Sequence, residues 1–337
     1  MGRRCAGGQP TIGAALMRVL VTGGTSMLGA SVARMLAERG DQVTLLQRSP
    51  SGSGLREVLA DISDADAVSA AVANHHAVVH CAARVGVVGS AADFERTNVT
   101  GTRVLTESMV RHGIERLVHV SSPSVAHSGS ALVGVDAQPA NPATARGHYS
   151  RTKAAAELLA LASGVPAVVV IRPHLVWGPG DTQLVGRIVD RGRAGRMALI
   201  GNGTALIDTT YIDNAADALV HALDRAPQLR GECLVVSNGE PRTVAELIER
   251  ILRAAGISTR LRSVPASAAR GAGAAAETVW SATSRDDDPP MTRFLAEQLS
   301  TAHWFDQRRT RELLHWRPQV TLAEGFERLA QWYAERA

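Results

Sequence analysis

Tyr149 and Lys153 stand four residues apart in an Ala- and Leu-rich stretch, Tyr149–Ala162, whose composition predicts a helix. That spacing puts both side chains on one helix face. A free phenol titrates at about pH 10 and exchanges its proton poorly at neutrality. A neighbouring ammonium favours the phenolate and lowers that value. The pair therefore suits proton transfer to or from an oxygen. The spacing alone is common, but composition sharpens it. Lys153 is the only lysine among 36 Lys and Arg residues, and Tyr149 is the first of three tyrosines. Ser122, in Ser121-Ser122-Pro123-Ser124-Val125, follows a strand expected at Leu117–Ser121. A hydroxyl there can polarise a carbonyl oxygen that the phenol protonates. Ser121 and Ser124 compete for that role.

Positioning these groups takes a scaffold of alternating elements. Arg18–Thr22 is a short apolar run, followed by glycines and then by Leu28–Arg39 at helical period. Gln42–Leu46, Ala77–Cys81, Leu117–Ser121 and Ala167–Arg172 read as further strands. Asp64–Ala73 and Asn98–Arg111 read as helices between them, the first capped by Ser63 or Asp64. Strand–helix alternation predicts an α/β fold, a doubly wound parallel sheet of Rossmann type. Its dinucleotide-binding domain is expected over 17–176, with later segments returning to it. Residues 177–337 are expected to form mainly a smaller C-terminal substrate lobe. There, Asn214–Arg225, Thr243–Ala255 and Leu322–Glu335 read as helices and Cys233–Ser237 as a strand. Ser263–Asp288 is rich in Ala, Gly, Ser and Asp and weakly periodic; Ser263–Trp280 is read as a lid or a membrane-touching segment.

The first turn, Thr22-Gly23-Gly24-Thr25-Ser26-Met27-Leu28-Gly29, opens a helix directly after a strand. Such a turn lets backbone N–H groups approach a pyrophosphate at the helix N-terminus. Gly23, Thr25, Ser26, Met27 and Leu28 are therefore candidate cofactor contacts. Ser26 stands where a glycine is usual and would either crowd the phosphates or hydrogen-bond them. The second strand ends Leu46-Gln47-Arg48. The acid that holds a ribose 2′-hydroxyl in NAD-preferring proteins is missing, and a guanidinium attracts a 2′-phosphate. The expectation is NADP(H), with NAD(H) also accommodated. Asp61 is expected to accept from the adenine amine or to cap its turn, with Ile62 beside it. Ala82 and Ala83, after the third strand, are small enough for the cofactor to lie against the backbone. His80 reads as a core histidine.

Bulk properties exclude other classes. Apolar residues make up 45% and charged residues 20%, as in soluble globular chains. A net charge of +4 without a basic run argues against nucleic acid. Cys5, Cys81 and Cys233 have no metal-ligand spacing, and the reading is cytoplasmic, with no metal. No apolar run is long enough to span a membrane. Met1–Leu16 is expected to be a disordered tail.

Together these residues resemble the extended short-chain dehydrogenase/reductase family over essentially the whole chain from Arg18. The resemblance implies catalysis by Tyr149, Lys153 and Ser122. It also implies cofactor contacts at Ser121, Pro173 and Leu175 and at Asn98 in Asn98-Val99-Thr100-Gly101-Thr102, the family's structural Asn. Nucleotide-sugar epimerases and dehydratases of the family carry an Arg that grips the diphosphate. Here that position is Ile207, which cannot neutralise one. The run Arg172-Pro173-His174-Leu175-Val176-Trp177-Gly178-Pro179-Gly180-Asp181 is similar to the 3β-hydroxysteroid dehydrogenase-like branch. Within it, the segments Thr209–Asn214, Ser237–Pro241 and Pro289–Leu299 look like those of reductases of 2-alkyl-3-oxoalkanoates. The implied activity is interconversion of a ketone and a secondary alcohol on a small apolar substrate, by a homodimer. Leu175, Trp177, Phe294 and Trp304 are candidates for an apolar pocket or for ordinary core. Rival expectations are a 3β-hydroxysteroid dehydrogenase, a nucleotide-sugar enzyme and a non-catalytic NADP-binding regulator.

Overall fold

The computed structural model describes residues 16–86, 89–127, 129–258, 260–283 and 292–336. The tail expected at Met1–Leu16 lies outside them except for Leu16, as do residues 284–291. The first half runs β1 (Arg18–Thr22), α1 (Met27–Arg39), β2 (Gln42–Gln47), β3 (Arg56–Leu59), α2 (Ala65–Val72), β4 (Ala77–His80), α3 (Ala91–Phe94), a π-helical turn (Glu95–Thr100), α4 (Gly101–Arg111), β5 (Arg116–Val120), a short 3-10 turn (Pro123–Ala126), β6 (Leu132–Val135), α5 (Gly147–Leu161) and β7 (Ala167–Pro173). The second half adds β8 (Val176–Trp177), α6 (Val185–Arg193), β9 (Ala198–Ile200), β10 (Leu206–Ile207), β11 (Thr210–Tyr211), α7 (Ile212–Arg225), β12 (Cys233–Val236), β13 (Arg242–Thr243), α8 (Val244–Ala254), β14 (Arg262–Val264), α9 (Ala266–Thr283), α10 (Arg293–Ser300), β15 (His303–Phe305), α11 (Arg308–Leu314) and α12 (Leu322–Ala334).

Seven strands pair in the order β12-β7-β5-β4-β1-β2-β3, all parallel. This is the doubly wound sheet expected from the sequence. Strand order reverses between β1 and β4, so the C-terminal ends of those two strands flank a crevice. Val19, Leu20 and Val21 are fully buried because helices cover both faces. On one face Val32 and Leu36 of α1 meet Ala216 and Leu219 of α7. On the other, Val68 of α2, Leu105 and Met109 of α4 and Ala160 of α5 pack against the sheet. Gly40, at φ 103, ends α1 by returning its N–H to Leu36 and Ala37 carbonyls.

The remaining elements build a second core around Trp177, Tyr211, Ile212, Leu247, Ile248, Phe326 and Leu329. They carry small sheets ordered β13-β10-β15-β6, β11-β8 and β14-β9. Three local expectations need correction. β3 was missed, so the strand expected third is β4. The helix expected to start at Asn98 begins earlier, with α3 and a π-helical turn. Much of the weakly periodic Ser263–Asp288 stretch is the 18-residue α9. It is steadied by Ala269, which packs with Ile200 of β9 and Ala296 of α10.

Candidate active site

The crevice is built from the end of β1 outward. Gly23 has φ +76, and a Cβ there would lie 2.8 Å from the Ala82 backbone, so only glycine lets the ends of β1 and β4 close up. Thr22 locks the same junction. Its Oγ1 accepts from the Ala82 amide (3.1 Å) and bonds His80 Nδ1 (2.7 Å). His80 Nε2 reaches Thr102 Oγ1 (3.1 Å), and that hydroxyl donates to the Asn98 carbonyl. The chain of donors fixes one neutral tautomer of His80, and burial pushes its pKa down to about 3. It is a core strut, as its position suggested.

Ser26 has a structural task of its own. It caps α1, its Oγ accepting from the Gly29 amide (3.1 Å) and donating to the Gly23 carbonyl (2.7 Å). An N-terminal turn offers more amides than the helix itself can satisfy, and this hydroxyl takes one of them. Thr25 is exposed at the turn, and Met27 and Leu28 lead the helix, half-buried. A cleft of about 690 Å³ opens from Gly24 and Thr25 along α1 to Pro50 and Ser51. At the end of β2, Gln47 is buried with neither amide atom hydrogen-bonded, its Oε1 2.7 Å from where a Gly24 Cβ would stand. Arg48 follows, exposed and with no ion pair among the described residues. Asp61 takes its capping alternative. It accepts from the Ser63 amide (2.9 Å) and hydroxyl (2.7 Å), and the amide bond above all lowers its pKa. Ile62 is core, wedged against Gly101 of α4. The amide-bearing turn, the cation at Arg48 and the ammonium below make a donor set that fits a dinucleotide.

Beyond β4, the catalytic candidates gather at the C-terminal edge of β5. Lys153, 3% exposed, donates from Nζ to the Val120 carbonyl (2.5 Å). Tyr149, half-buried one turn earlier on α5, lies beside Ser122, whose hydroxyl acts on the phenol. Ser122 Oγ in turn takes bonds from the Ser124 amide (3.3 Å) and hydroxyl (3.0 Å). Ser121 drops out as a competitor, since its hydroxyl is spent on Glu157 Oε2 (2.6 Å). The expected acidification of the phenol by Lys153 is not found. Burial raises the Tyr149 pKa and the Ser122 hydroxyl only partly offsets it, while the ammonium is turned to Val120. Burial brings Lys153 itself down to about 8, against the opposing pull of Glu157.

Asn98 works through its neighbours. Its Oδ1 accepts from the Arg84 amide (2.7 Å), and its Nδ2 donates to the Arg84 carbonyl (3.1 Å) and to Thr152 Oγ1 (3.0 Å). It thus holds the wall formed by Ala82 and Ala83 against α5. Pro173 closes β7, and Leu175 sits just beyond it at φ 44, a costly backbone for a branched side chain. Trp177 is no pocket liner. It is 1% exposed, stacks on Phe326 and donates to Thr209. The Phe294 side chain lies outside the described set, and Trp304 is half-buried in β15.

Sequence reasoning missed Glu157 and Arg172, a buried ion pair that receives Ser121 and faces Lys153. An acid four residues after the sole lysine, in a half of the helix otherwise made of Ala and Leu, was the available signal.

A nicotinamide-dependent oxidoreductase of Rossmann type is the class this crevice and these side chains define. The chain belongs to the NAD-dependent epimerase/dehydratase family, the extended short-chain dehydrogenases, whose model matches residues 19–236. It is 40% identical over 325 residues to a 2-alkyl-3-oxoalkanoate reductase of Stenotrophomonas maltophilia, covering 93% of this chain and 98% of that one. It is 30% identical over 272 residues to a 3-beta-hydroxysteroid dehydrogenase of Mycolicibacterium neoaurum, covering 74% of this chain and 73% of that one. Among solved structures, MoeE5 in complex with UDP-glucose and NAD superposes with a TM-score of 0.73 at 25% identity, covering 95% and 99% of the two chains.

Proposed function

We propose that the protein reduces the 3-keto group of a 2-alkyl-3-oxoalkanoate to the 3-hydroxy acid, with NADP(H) as the preferred cofactor. The observation that carries the reading is the convergence of Tyr149, Ser122 and Lys153 at the end of β5, in a chain so extensively like a reductase of that substrate class. When bound, the nicotinamide supplies the hydride for the carbonyl carbon. Ser122 donates to the carbonyl oxygen and Tyr149 delivers the proton to it. Lys153 binds the nicotinamide ribose and offers the cation that favours the phenolate left behind. The other cofactor contacts proposed are Gly23, Thr25, Met27, Leu28, Asp61, Ala82, Ala83 and Leu175, with Arg48 beside the 2′-phosphate. A pair of copies joined through α4 and α5 belongs to the same reading, because Val110 and Leu158 stay exposed there. No helix among the described residues is long and apolar enough to cross a membrane.

A second reading, oxidation of a 3β-hydroxysteroid by the same groups in reverse, draws on the similarity to the Mycolicibacterium protein. A nucleotide-sugar substrate is disfavoured by Ile207, buried and uncharged where a diphosphate would need a cation. The test is turnover of 3-oxo acids and 3β-hydroxysteroids by wild type and Tyr149→Phe. The acids are expected to turn over, and the variant to lose at least about a hundredfold. Wild-type rates in Tyr149→Phe would end the mechanism, and turnover of steroids alone would end the substrate assignment.

A further inference from the structure

We propose that Arg84 is the subsite for the substrate's carboxylate, an inference that rests on the oxo-acid reading above. Arg84 leaves the sheet rim between the two halves of the site. Two residues before it, Ala82 is held by Thr22 and lies against Gly23. Its own backbone is clamped on both sides by the Asn98 amide, whose Nδ2 also reaches Thr152, the residue preceding Lys153. One side chain therefore links Arg84 directly to the catalytic helix.

The guanidinium is steered as well. Its Cζ lies 5.5 Å from the centre of the fully buried Phe94 ring, which stacks on His148, the residue preceding Tyr149, at 6.1 Å. On the other side, Gly89 has φ +125 and no room for a Cβ, which would fall 2.5 Å from Arg84 Nη2. Held between a ring and a glycine, the head group lacks the carboxylate that several other guanidinia of the chain have. Arg172 is paired with Glu157, Arg39 with Asp41 and Asp224, and Arg146 with Glu297. Arg84 has no carboxylate partner among the described residues, and its Nε is buried without a hydrogen bond. The ring offsets part of the charge's desolvation but accepts no N–H in the plane of the fork. A planar carboxylate does both. In a 3-oxoalkanoate, that group lies only two carbons from the carbonyl held by Ser122 and Tyr149. An anion site beside the catalytic helix is therefore what the substrate requires. The same anchor would fix which face of the ketone meets the cofactor, leaving the two alkyl chains to be sorted by apolar surface.

The alcohol product is stable, so the test runs in the oxidative direction. A 2-alkyl-3-hydroxyalkanoate and its uncharged methyl ester are each assayed with NADP+ by the cofactor's absorbance. The wild-type protein is expected to favour the acid in kcat/KM. Arg84→Gln should cut the acid-to-ester ratio about tenfold or more, as loss of a charge-assisted bond implies. Arg84→Lys should retain part of the preference. The ratio is internal to each variant, so partial unfolding lowers both rates and leaves it unchanged. An unchanged ratio in Arg84→Gln overturns the subsite, and so does an effect confined to KM for NADP+, which would assign the group to the cofactor. If the wild type oxidises acid and ester equally, the reductase reading stands and the subsite falls. Oxidation of neither would fell the reductase reading itself, and the subsite with it.

Discussion

The residue with the most consequence per atom is Lys153. Its ammonium is buried, and burial depresses its pKa to about 8. Above that value the folded protein sheds the charge that binds ribose and favours a phenolate. The kcat/KM of the free protein should therefore fall about tenfold per pH unit on the alkaline side of 8. A pH profile flat to pH 10 would contradict it. Arg48 makes a separate prediction. Arg48→Asp should lower the kcat/KM ratio for NADPH over NADH by at least about tenfold, because the carboxylate repels a 2′-phosphate and accepts a 2′-hydroxyl. An unaltered ratio would leave Arg48 as a surface residue. At this scale much of the site was legible. Tyr149 and Lys153 share a face by spacing, and Lys153 is conspicuous in a chain that otherwise uses Arg. Ser26 was not legible, because one hydroxyl can serve either an anion or its own helix and only the backbone geometry decides. The direction of the Tyr149 shift was also hidden, since sequence shows which charges are near but not how deeply the phenol is buried.

Among the elements, α5 carries an unusual load. Residues around most of its circumference are buried, including Ser150, Lys153, Ala156, Glu157 and Ala160. Alternation of apolar and polar positions is consequently weak, and Ala content is the trait that betrays the helix. Glu157 and Arg172 tie α5 to β7, with side chains only 1% and 2% exposed. Glu157→Gln leaves a buried guanidinium short of its counter-charge and should cost about 3–5 kcal/mol in unfolding free energy, read from a urea titration. Replacing both partners, as in Glu157→Leu with Arg172→Met, should recover much of that loss. A Glu157→Gln variant as stable as wild type would show that the pair contributes nothing. Elements with one clear face, such as α8 with Leu247, Ile248, Ile251 and Leu252 buried, were readable from period alone. β3 was not, because only Val58 in Arg56–Leu59 is β-branched and the strand takes its form from pairing with β2. The glycines and serines of α9 likewise blur its period, though its neighbours hold it helical.

Across the whole molecule, burial holds several histidines neutral. His80 is driven down to about 3 and His303 to about 4, with His119 and His174 also well below the ordinary value. On unfolding, each regains a pKa of about 6.5 and takes up a proton below it. Their contribution to stability is complete above pH 6.5 and drains away as pH falls toward 4. The urea midpoint should drop across that interval, and a midpoint constant over it would refute the account. The doubly wound parallel sheet, by contrast, was accessible from the first half of the sequence alone, edge strand β3 excepted. Its last strand, β12, was read as a strand but its place in this sheet was harder to foresee, since the chain first detours through the other lobe and then returns by way of α7. That detour has a practical corollary for anyone dissecting the gene. A polypeptide halted at Trp177 would forfeit α7 and β12 together, baring the flank of Val169 and Ile171 and the unsatisfied amides of β7. Such a fragment should form inclusion bodies instead of an autonomous nucleotide binder, so the two lobes are halves of the chemistry without being separable pieces of chain.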